Sequence, residues 1–135
     1  MKKFALCVVM VALVGVLPSC KQVMYAPQYQ KNTVSHVVLC YLKNKGSEAD
    51  RQKILAATRS LREIRGVYDI EVGYVLPSSR PVVVSDYDVG IIVFFRDQAS
   101  MEAYEKDPKH QQAVKEVLEP LTSKIVVYDF VNQDY

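Results

Sequence analysis

The alternation of hydrophobic and polar positions after residue 33 predicts four β-strands. Val34–Leu42 is rich in β-branched residues and alternates, so it is predicted to form the first strand. The later predicted strands are Val67–Val75, Asp88–Phe95 and Ile125–Val131, with a short edge extension at Val82–Val84. Segments with apolar residues at helical spacing lie between the first and second strands and between the third and fourth. The order βαββαβ predicts an α+β ferredoxin-like sandwich.

Capping residues mark both ends of the first predicted helix. Ser47, with Asp50 three positions later, resembles a capping box, and Gly66 follows the last helical turn. Between them, the positions that recur at helical spacing are Ile54, Thr58, Leu61 and Ile64. The helix is therefore predicted to pack one side against the sheet.

The second helical segment is predicted to be broken in the middle. It begins at Asp97 or Gln98, and Asp107-Pro108 interrupts it before it resumes as far as about Leu118. Asp is favoured at a helix N-cap and Pro at the first helical position. His110 then falls in the first turn of the resumed helix, where it continues an inward stripe formed by Val114, Val117 and Leu121.

Three of the four predicted strands are apolar on both faces. In the first strand, one face carries Val37, Leu39 and Tyr41, and the other carries His36, Val38, Cys40 and Leu42. The third and fourth strands show the same pattern. Two helices cover one face of such a sheet, and a bare second face would expose an apolar patch on the order of several hundred Å². The sequence therefore predicts a homodimer in which two copies pack sheet against sheet, forming a dimeric α+β barrel.

Residues 1–19 have the composition of a signal peptide. Lys2 and Lys3 precede the uncharged run Phe4–Leu17, whose 14 residues are fewer than the roughly 20 needed to span a membrane. The run leads into Leu17-Pro18-Ser19-Cys20, which resembles the lipobox of bacterial lipoproteins. A plain secretory signal, cleaved near the same point, is the alternative.

The lipobox predicts a lipid on the Cys20 thiol, a flexible tether over residues 20–33 and a folded domain over residues 34–135. The protein is expected to be exported and to stay in the cell envelope, anchored to a membrane through that lipid. Lys21, directly after the modified cysteine, favours the outer membrane where the host has one.

Charge and cysteine content narrow the range of partners. Of the 17 basic residues, 13 follow residue 33, and so do all 15 acidic residues. The predicted domain therefore has a net charge near −2. Nucleic-acid binding needs a basic surface, so no nucleic-acid partner is expected.

Cys40 is predicted to be an inert buried thiol. No metal site is predicted, because the two histidines lack cysteine or carboxylate partners at ligand spacing. The sequence also lacks a phosphate-binding glycine loop and a dinucleotide fingerprint, so no cofactor is expected.

Several segments resemble the stress-responsive A/B barrel family. They are His36–Leu39, Glu63–Val67, Tyr87–Phe95, Ala103–Gln111 and Val126–Phe130. The resemblance covers residues 34–131 in the family's order, and it implies a dimeric α+β barrel. Members similar to plant polyketide cyclases use a Tyr and a His spaced like Tyr104 and His110, with a first-strand His like His36 near that pocket. Asp107 departs from the family pattern, which often has His before the Pro.

The candidate site residues come from these observations together. Tyr104 and His110 are the candidate catalytic residues, with a neutral His110 as the base and Tyr104 polarising a carbonyl group. His36, Gly73 and Gly90 are candidate ligand-binding residues, since a glycine inside a strand makes room for a ligand. The structural alternatives are a Tyr and a His that fill the core, and glycines that mark bulges.

Three functions are consistent with the sequence. The first is a lipid-anchored, dimeric binding module for a small apolar or aromatic molecule. The second is a cofactor-free enzyme, similar to a polyketide cyclase, an isomerase or a monooxygenase, that uses His110 and Tyr104. The third is a structural or interaction protein of the envelope without a ligand. A cavity beside His36, Tyr104 and His110 is the observation that separates the third hypothesis from the other two.

Overall fold

The computed structural model describes residues 32–133 of the chain. The predicted signal peptide, the lipidated Cys20 and the tether as far as residue 31 lie outside the described residues. Backbone hydrogen bonds join the two ends of this range. The N–H of Asn32 donates to the carbonyl of Asn132 at 3.1 Å, and the N–H of Asn132 donates to the carbonyl of Thr33 at 2.8 Å. Within the described range, no helix has both the length and the apolar character needed to cross a membrane.

The strands and helices of residues 32–133 follow the predicted order. The strands are β1 (Val34–Leu42), β2 (Val67–Tyr74), β3 (Val89–Phe95) and β4 (Thr122–Val131). The helices are α1 (Glu48–Ser60), α2 (Gln98–Lys106), α3 (Pro108–Ala113) and α4 (Glu119–Leu121), with a 3₁₀ turn at Leu61–Glu63 and a π-helical turn at Val114–Leu118. Neighbouring strands are antiparallel, in the order β2-β3-β1-β4. The α+β ferredoxin-like fold is confirmed.

The predicted edge extension at Val82–Val84 is wrong. The pairing between β2 and β3 ends at Tyr74 and Val89. Residues 75–88 form an irregular loop between these two strands. A strand needs a neighbour that pairs with its backbone, and the two prolines of this loop have no N–H to donate. A local run of β-branched residues is therefore not sufficient to make a strand here.

Strands β2 and β3 match their predicted bounds to within about one residue, whereas two boundaries near the C-terminal strand differ by several residues. The helical segment runs to Leu121 rather than to about Leu118, and β4 begins at Thr122 rather than at Ile125. The hydroxyl of Thr122 donates to the carbonyl of Leu118 at 2.7 Å, so this residue closes the helical segment. Thr122 then pairs with Leu42 across an irregularity in the β1–β4 register.

Local capping explains where α1 begins. The Ser47 hydroxyl accepts a hydrogen bond from the backbone N–H of Asp50 at 3.3 Å, as the capping pattern predicts. The buried stripe of α1 consists of Ile54, Leu55 and Thr58. Beyond the 3₁₀ turn, Gly66 has a φ of +98°, and a Cβ atom there would lie 3.0 Å from the Cβ of Ser100. Glycine is therefore required at this turn.

The broken second helical segment also follows its capping residues. Asp97 accepts a hydrogen bond from the N–H of Ser100 at 2.7 Å at the start of α2. Asp107 accepts one from the N–H of Lys109 at 2.8 Å at the start of α3, where Pro108 is the first helical residue. The predicted break at Asp107-Pro108 is confirmed.

The helices pack against one face of the sheet, and the core lies between the two layers. The strand residues buried in this core include Val38, Cys40, Leu42, Val89, Val93 and Phe95. Burial raises the pKa of the Cys40 thiol to about 11, so the thiol is protonated at neutral pH. Cys40 is thus a small apolar core residue, as the sequence predicts.

The opposite face of the sheet is apolar, and none of the described residues covers it fully. Tyr128 and Phe130 of β4 are 58% and 52% exposed. Tyr128 lies directly opposite Val37 of β1, and both Val37 and Leu39 are only partly buried. The sheet is therefore apolar on both faces, as the sequence predicts.

Asp88 connects the end of β1 to the beginning of α1. Its buried carboxylate accepts hydrogen bonds from the N–H groups of Leu42 and Gly46 at 3.0 and 2.8 Å, and from the guanidinium of Arg51 at 3.2 Å. Burial raises the pKa of Asp88, but these hydrogen bonds outweigh that effect and hold the pKa below its ordinary value. The charged carboxylate thereby fixes the loop from which α1 crosses the sheet.

Candidate functional site

A cavity of about 380 Å³ lies between the helix-covered face of the sheet and the helices. Its wall is mostly aliphatic and is built from β1, β3 and β4 on one side and from α1, α2 and α3 on the other. Polar side chains interrupt this wall at His36, Thr58, Tyr104, Glu105 and His110. The cavity is large enough for a small organic molecule, since ligand pockets begin at roughly 300 Å³.

His36 lines the cavity from β1. Its side chain is buried on the helix-covered face, where the register places it directly opposite Asp129 of β4. The Nδ1 atom of His36 lies 2.6 Å from the Oδ1 atom of Asp129. A carboxylate oxygen accepts, so Nδ1 carries the hydrogen and the Nε2 atom of a neutral His36 has the free lone pair.

Tyr104 lies in the last turn of α2, and its ring is only 2% exposed. Its centroid is 5.0 Å from that of Phe95, 6.3 Å from that of His36 and 4.3 Å from that of His110. Burial raises the pKa of the Tyr104 phenol well above its ordinary value, so the hydroxyl keeps its proton and is a hydrogen-bond donor.

His110 lies in the first turn of α3, as predicted. On an unbroken helix, residues six positions apart, such as Tyr104 and His110, would be separated by about 120° around the axis. The new helix start at Pro108 removes that constraint and brings the two rings together. The Nδ1–H of His110 donates to the carbonyl of Glu105 at 3.3 Å. Burial lowers the pKa of His110, so its imidazole is neutral at pH 7.

Thr58 forms part of the cavity wall on the α1 side. Its side chain is 1% exposed, and its hydroxyl has no hydrogen-bond partner among the described residues. A buried hydroxyl without a partner costs about 1–3 kcal/mol relative to a paired one. The cavity wall thus contains a polar group that the described part of the chain leaves unsatisfied.

The structure brings three of the five predicted site residues together. His36, Tyr104 and His110 share the cavity. Gly73 and Gly90 pair with each other across β2 and β3, but they lie on the opposite face of the sheet, beside Tyr87. The register is regular at this pair, so neither glycine marks a bulge. These two glycines contribute nothing to the cavity.

Sequence reasoning missed Asp129 and Thr58. Asp129 follows Ile125 and Val127 at alternate positions of β4, so a single carboxylate continues an otherwise apolar row on the face that carries the cavity. The side chain of Asp129 is 41% exposed, because β4 is at the edge of the sheet. That break in the pattern was the available signal for Asp129. Thr58 was predicted only as one position of the buried stripe of α1, and a sequence gives no sign that its hydroxyl lacks a partner.

The arrangement combines an apolar space with hydrogen-bond donors and acceptors on its wall. Each histidine donates from Nδ1 to a protein oxygen, which leaves Nε2 as an acceptor, and the neutral Tyr104 phenol is a donor. Within residues 32–133, no three His, Cys, Asp or Glu side chains lie close enough together to hold a metal ion.

Several solved structures share this fold, and three of them illustrate its range. A Dabb-family protein with a ferredoxin-like fold from Mesorhizobium loti is 28% identical, with a TM-score of 0.62 over 78% of this chain and 100% of that one. A dimeric protein of unknown function with a ferredoxin-like fold from Bacteroides fragilis is 19% identical, with a TM-score of 0.60 over 77% and 100%. The hydroxynitrile lyase of Passiflora edulis is 20% identical, with a TM-score of 0.67 over 78% and 98%.

None of the curated proteins matches the chain in sequence. The model of the stress-responsive A/B barrel domain, in contrast, matches residues 34–132. This range contains all four strands of the sheet and all the polar residues of the cavity wall. The protein therefore belongs to the stress-responsive A/B barrel family.

Proposed function

We propose that this protein is a lipid-anchored envelope protein whose dimeric barrel domain binds a small apolar or aromatic molecule. The cavity of about 380 Å³ between sheet and helices is the observation that carries the proposal. Protein interiors are close-packed and contain few voids larger than a water molecule. An apolar space of this size, with a few polar groups on its wall, is typical of a ligand site.

The polar groups of the wall define the kind of ligand. The hydroxyl of Thr58 has no hydrogen-bond partner among the described residues. Tyr104 also lines the cavity, and its phenol keeps its proton because burial raises its pKa. A ligand with a carbonyl or hydroxyl group would accept a hydrogen bond from the phenol of Tyr104. We therefore expect a mostly apolar molecule that carries one or two polar groups.

A cofactor-free enzyme is the second candidate, and the contact between the Tyr104 and His110 rings favours it. A neutral imidazole can remove a proton while a neutral phenol donates to the oxygen that becomes negative. The hydroxynitrile lyase with the same fold supports such chemistry on this scaffold. A purely structural role has less support, because a core without a ligand would gain stability by filling the cavity.

The dimer is proposed from the second face of the sheet. Tyr128 and Phe130 leave an exposed apolar surface on β4 that a second copy would bury. Three of the similar structures, from Thermobifida fusca, Bacteroides fragilis and Jannaschia, are described as dimeric. Packing of two such sheets face to face would produce the α+β barrel.

The anchor is proposed from the sequence alone. Phe4–Leu17 resembles a signal-peptide core, and Ser19-Cys20 resembles the end of a lipobox. Acyl chains contribute about 0.8 kcal/mol of membrane affinity for each buried CH₂ group, so two or three chains on Cys20 would hold the protein on a membrane.

Filling the cavity is predicted to prevent ligand binding. Ala113 lines the cavity, so Ala113→Phe places a ring in the space that the ligand needs. We expect 2-naphthol, followed by its fluorescence, to bind the wild type with at least about tenfold higher affinity than it binds this variant. Ala103→Phe is the matched control, because Ala103 is exposed on α2. Thermal melting checks that both variants are folded. Equal affinity of the two folded variants would contradict the proposal. Failure of the wild type to bind any member of a broad aromatic library would contradict it as well.

Removal of the two candidate catalytic groups is predicted to abolish turnover without unfolding the protein. An aromatic hydroxynitrile is a suitable test substrate, and cleavage of mandelonitrile is followed as the appearance of benzaldehyde. We expect His110→Ala and Tyr104→Phe each to lower kcat by about 10²–10⁴-fold, the usual size of a general acid–base contribution. Unchanged turnover in the variants would reject these roles. A wild type with no turnover above background would reject this reaction and leave the binding module as the better candidate.

A charge on the exposed sheet face is predicted to dissociate the dimer. Tyr128→Glu would bury a carboxylate against the apolar face of the second copy, which is strongly unfavourable. Sedimentation velocity at micromolar concentration is expected to give two copies for the wild type and one for the variant. Ala103→Glu, on the helical side of the domain, should leave the dimer intact. A wild type that sediments as single copies would refute the barrel model.

Loss of the Cys20 thiol is predicted to release the protein from the membrane. Cys20→Ser cannot form the thioether to diacylglycerol, so the variant should leave the membrane fraction. Mass spectrometry of the wild type should show the lipid on residue 20, and Cys40→Ser should remain anchored. If wild-type protein is secreted without a lipid, the plain secretory signal is the correct interpretation.

A further inference from the structure

Thr58 occupies a core position of α1 at which an apolar residue would pack equally well. It belongs to the buried stripe of this helix together with Ile54 and Leu55, and its side chain is 1% exposed. Valine has nearly the same shape but carries no hydroxyl that must be removed from water. Packing alone therefore does not explain a threonine at this position.

The Thr58 hydroxyl has no partner among the described residues, whereas hydroxyls elsewhere in the domain bond to a nearby helical carbonyl. The hydroxyl of Ser60 donates to the carbonyl of Ala57 at 2.7 Å, and that of Thr122 donates to the carbonyl of Leu118 at 2.7 Å. Bonds of this kind, to the carbonyl three or four residues before, are the usual way to satisfy a hydroxyl on a helix. Thr58 makes no such bond, and it lines the cavity.

We propose that Thr58 is a specificity-determining residue of the cavity, and that its hydroxyl hydrogen-bonds an uncharged hydroxyl or carbonyl group of the ligand. This inference rests on the proposed ligand-binding function and narrows its ligand class. The ligand is a mostly apolar or aromatic molecule that is neutral and carries a polar group where it meets α1.

The charges around the cavity disfavour an anionic ligand. Among the described residues that line it there is no lysine or arginine, and Glu105 is the one acidic residue. Of the two histidines, His110 has a pKa that burial lowers, and His36 already contacts the carboxylate of Asp129. A carboxylate or phosphate on a bound ligand would therefore be buried without a cationic partner of its own.

A neutral polar group meets no such obstacle at Thr58. A threonine hydroxyl both donates and accepts, so it can pair with a ligand hydroxyl or with a ligand carbonyl. Thr58 reaches the cavity from α1, whereas Tyr104 reaches it from α2. A ligand with two polar groups can thus contact Thr58 with one group whichever residue the other group contacts.

Three probes with the same ring system test the inference. Naphthalene has no polar group, naphthalene-2,6-diol has a hydroxyl at each end, and 6-hydroxy-2-naphthoate has a carboxylate in place of one hydroxyl. Their affinities for the purified protein are measured by equilibrium dialysis with fluorescence detection. We expect the wild type to bind naphthalene and the diol, and to bind the naphthoate at least about tenfold more weakly than the diol.

Thr58→Val removes the hydroxyl and keeps the shape of the side chain. We expect it to lower the affinity for the diol by about three- to tenfold, the usual effect of losing one hydrogen bond, and to leave the affinity for naphthalene unchanged. Thr58→Ser should retain most of the preference for the diol over naphthalene. Thr122→Val is the matched control, because the Thr122 hydroxyl is bonded to Leu118 and Thr122 does not line the cavity. It should leave this preference unchanged.

Thermal melting without a ligand separates a binding role of Thr58 from a structural one. Thr58→Val removes a buried hydroxyl without a protein partner, so this variant should melt at the wild-type temperature or above it. Thr122→Val removes a bonded hydroxyl and should melt below the wild type. A Thr58→Val variant that melts well below the wild type would show that the hydroxyl stabilises the fold, and the proposal would be wrong.

The outcomes separate this inference from the proposed function. If the wild type binds naphthalene and the diol but Thr58→Val lowers neither affinity, or lowers both equally, the role of Thr58 is refuted and ligand binding stands. Equal affinities for the naphthoate and the diol would refute the neutral ligand class. If none of the three probes binds, aromatic ligand binding itself is refuted, and the inference is refuted with it.

Discussion

Successive side chains of a strand point to opposite faces of a sheet, and in this protein both sets are largely apolar. One face of the sheet must therefore be covered by the helices and the other by something else. On the covered face, residues such as Cys40, Val93 and Phe95 are completely buried, and the cavity forms where the packing is incomplete. On the other face, Tyr128 and Phe130 stay exposed. The ligand site and the proposed dimer thus follow from one packing constraint.

Most of the fold could be predicted because the signals are local. Alternation over a few residues identified the strands of the sheet, and the capping residues Ser47, Asp97 and Asp107 fixed the helix starts within one or two positions. The error at Val82–Val84 arose because a strand is defined by its partner, and no neighbouring strand pairs with that segment among the described residues. A run of β-branched residues has a high propensity to form a strand. Whether it forms one depends on backbone pairing with a segment that is distant in the sequence.

The candidate site was predictable to the extent that it depends on the Asp107-Pro108 break. This break brings His110 beside Tyr104, and it depends on two adjacent residues that a sequence shows directly. Asp129 was not predictable in the same way, because its contact with His36 joins residues 93 positions apart and depends on the β1–β4 register. The position of Gly73 and Gly90 on the face opposite the cavity was not predictable for a related reason: alternation along a strand does not show which face the helices cover.

The environment of His36 bears on the choice between a binding module and an enzyme. A site that only holds an apolar molecule gains its affinity from burial and from a few neutral hydrogen bonds. A buried imidazole can satisfy its Nδ1–H with a backbone carbonyl, as His110 does with Glu105. A carboxylate in that place adds little to the binding of a neutral molecule, but it stabilises the imidazolium that proton transfer creates. The short contact between His36 and Asp129 thus supports the second candidate function, the cofactor-free enzyme, whereas the cavity itself supports the binding module.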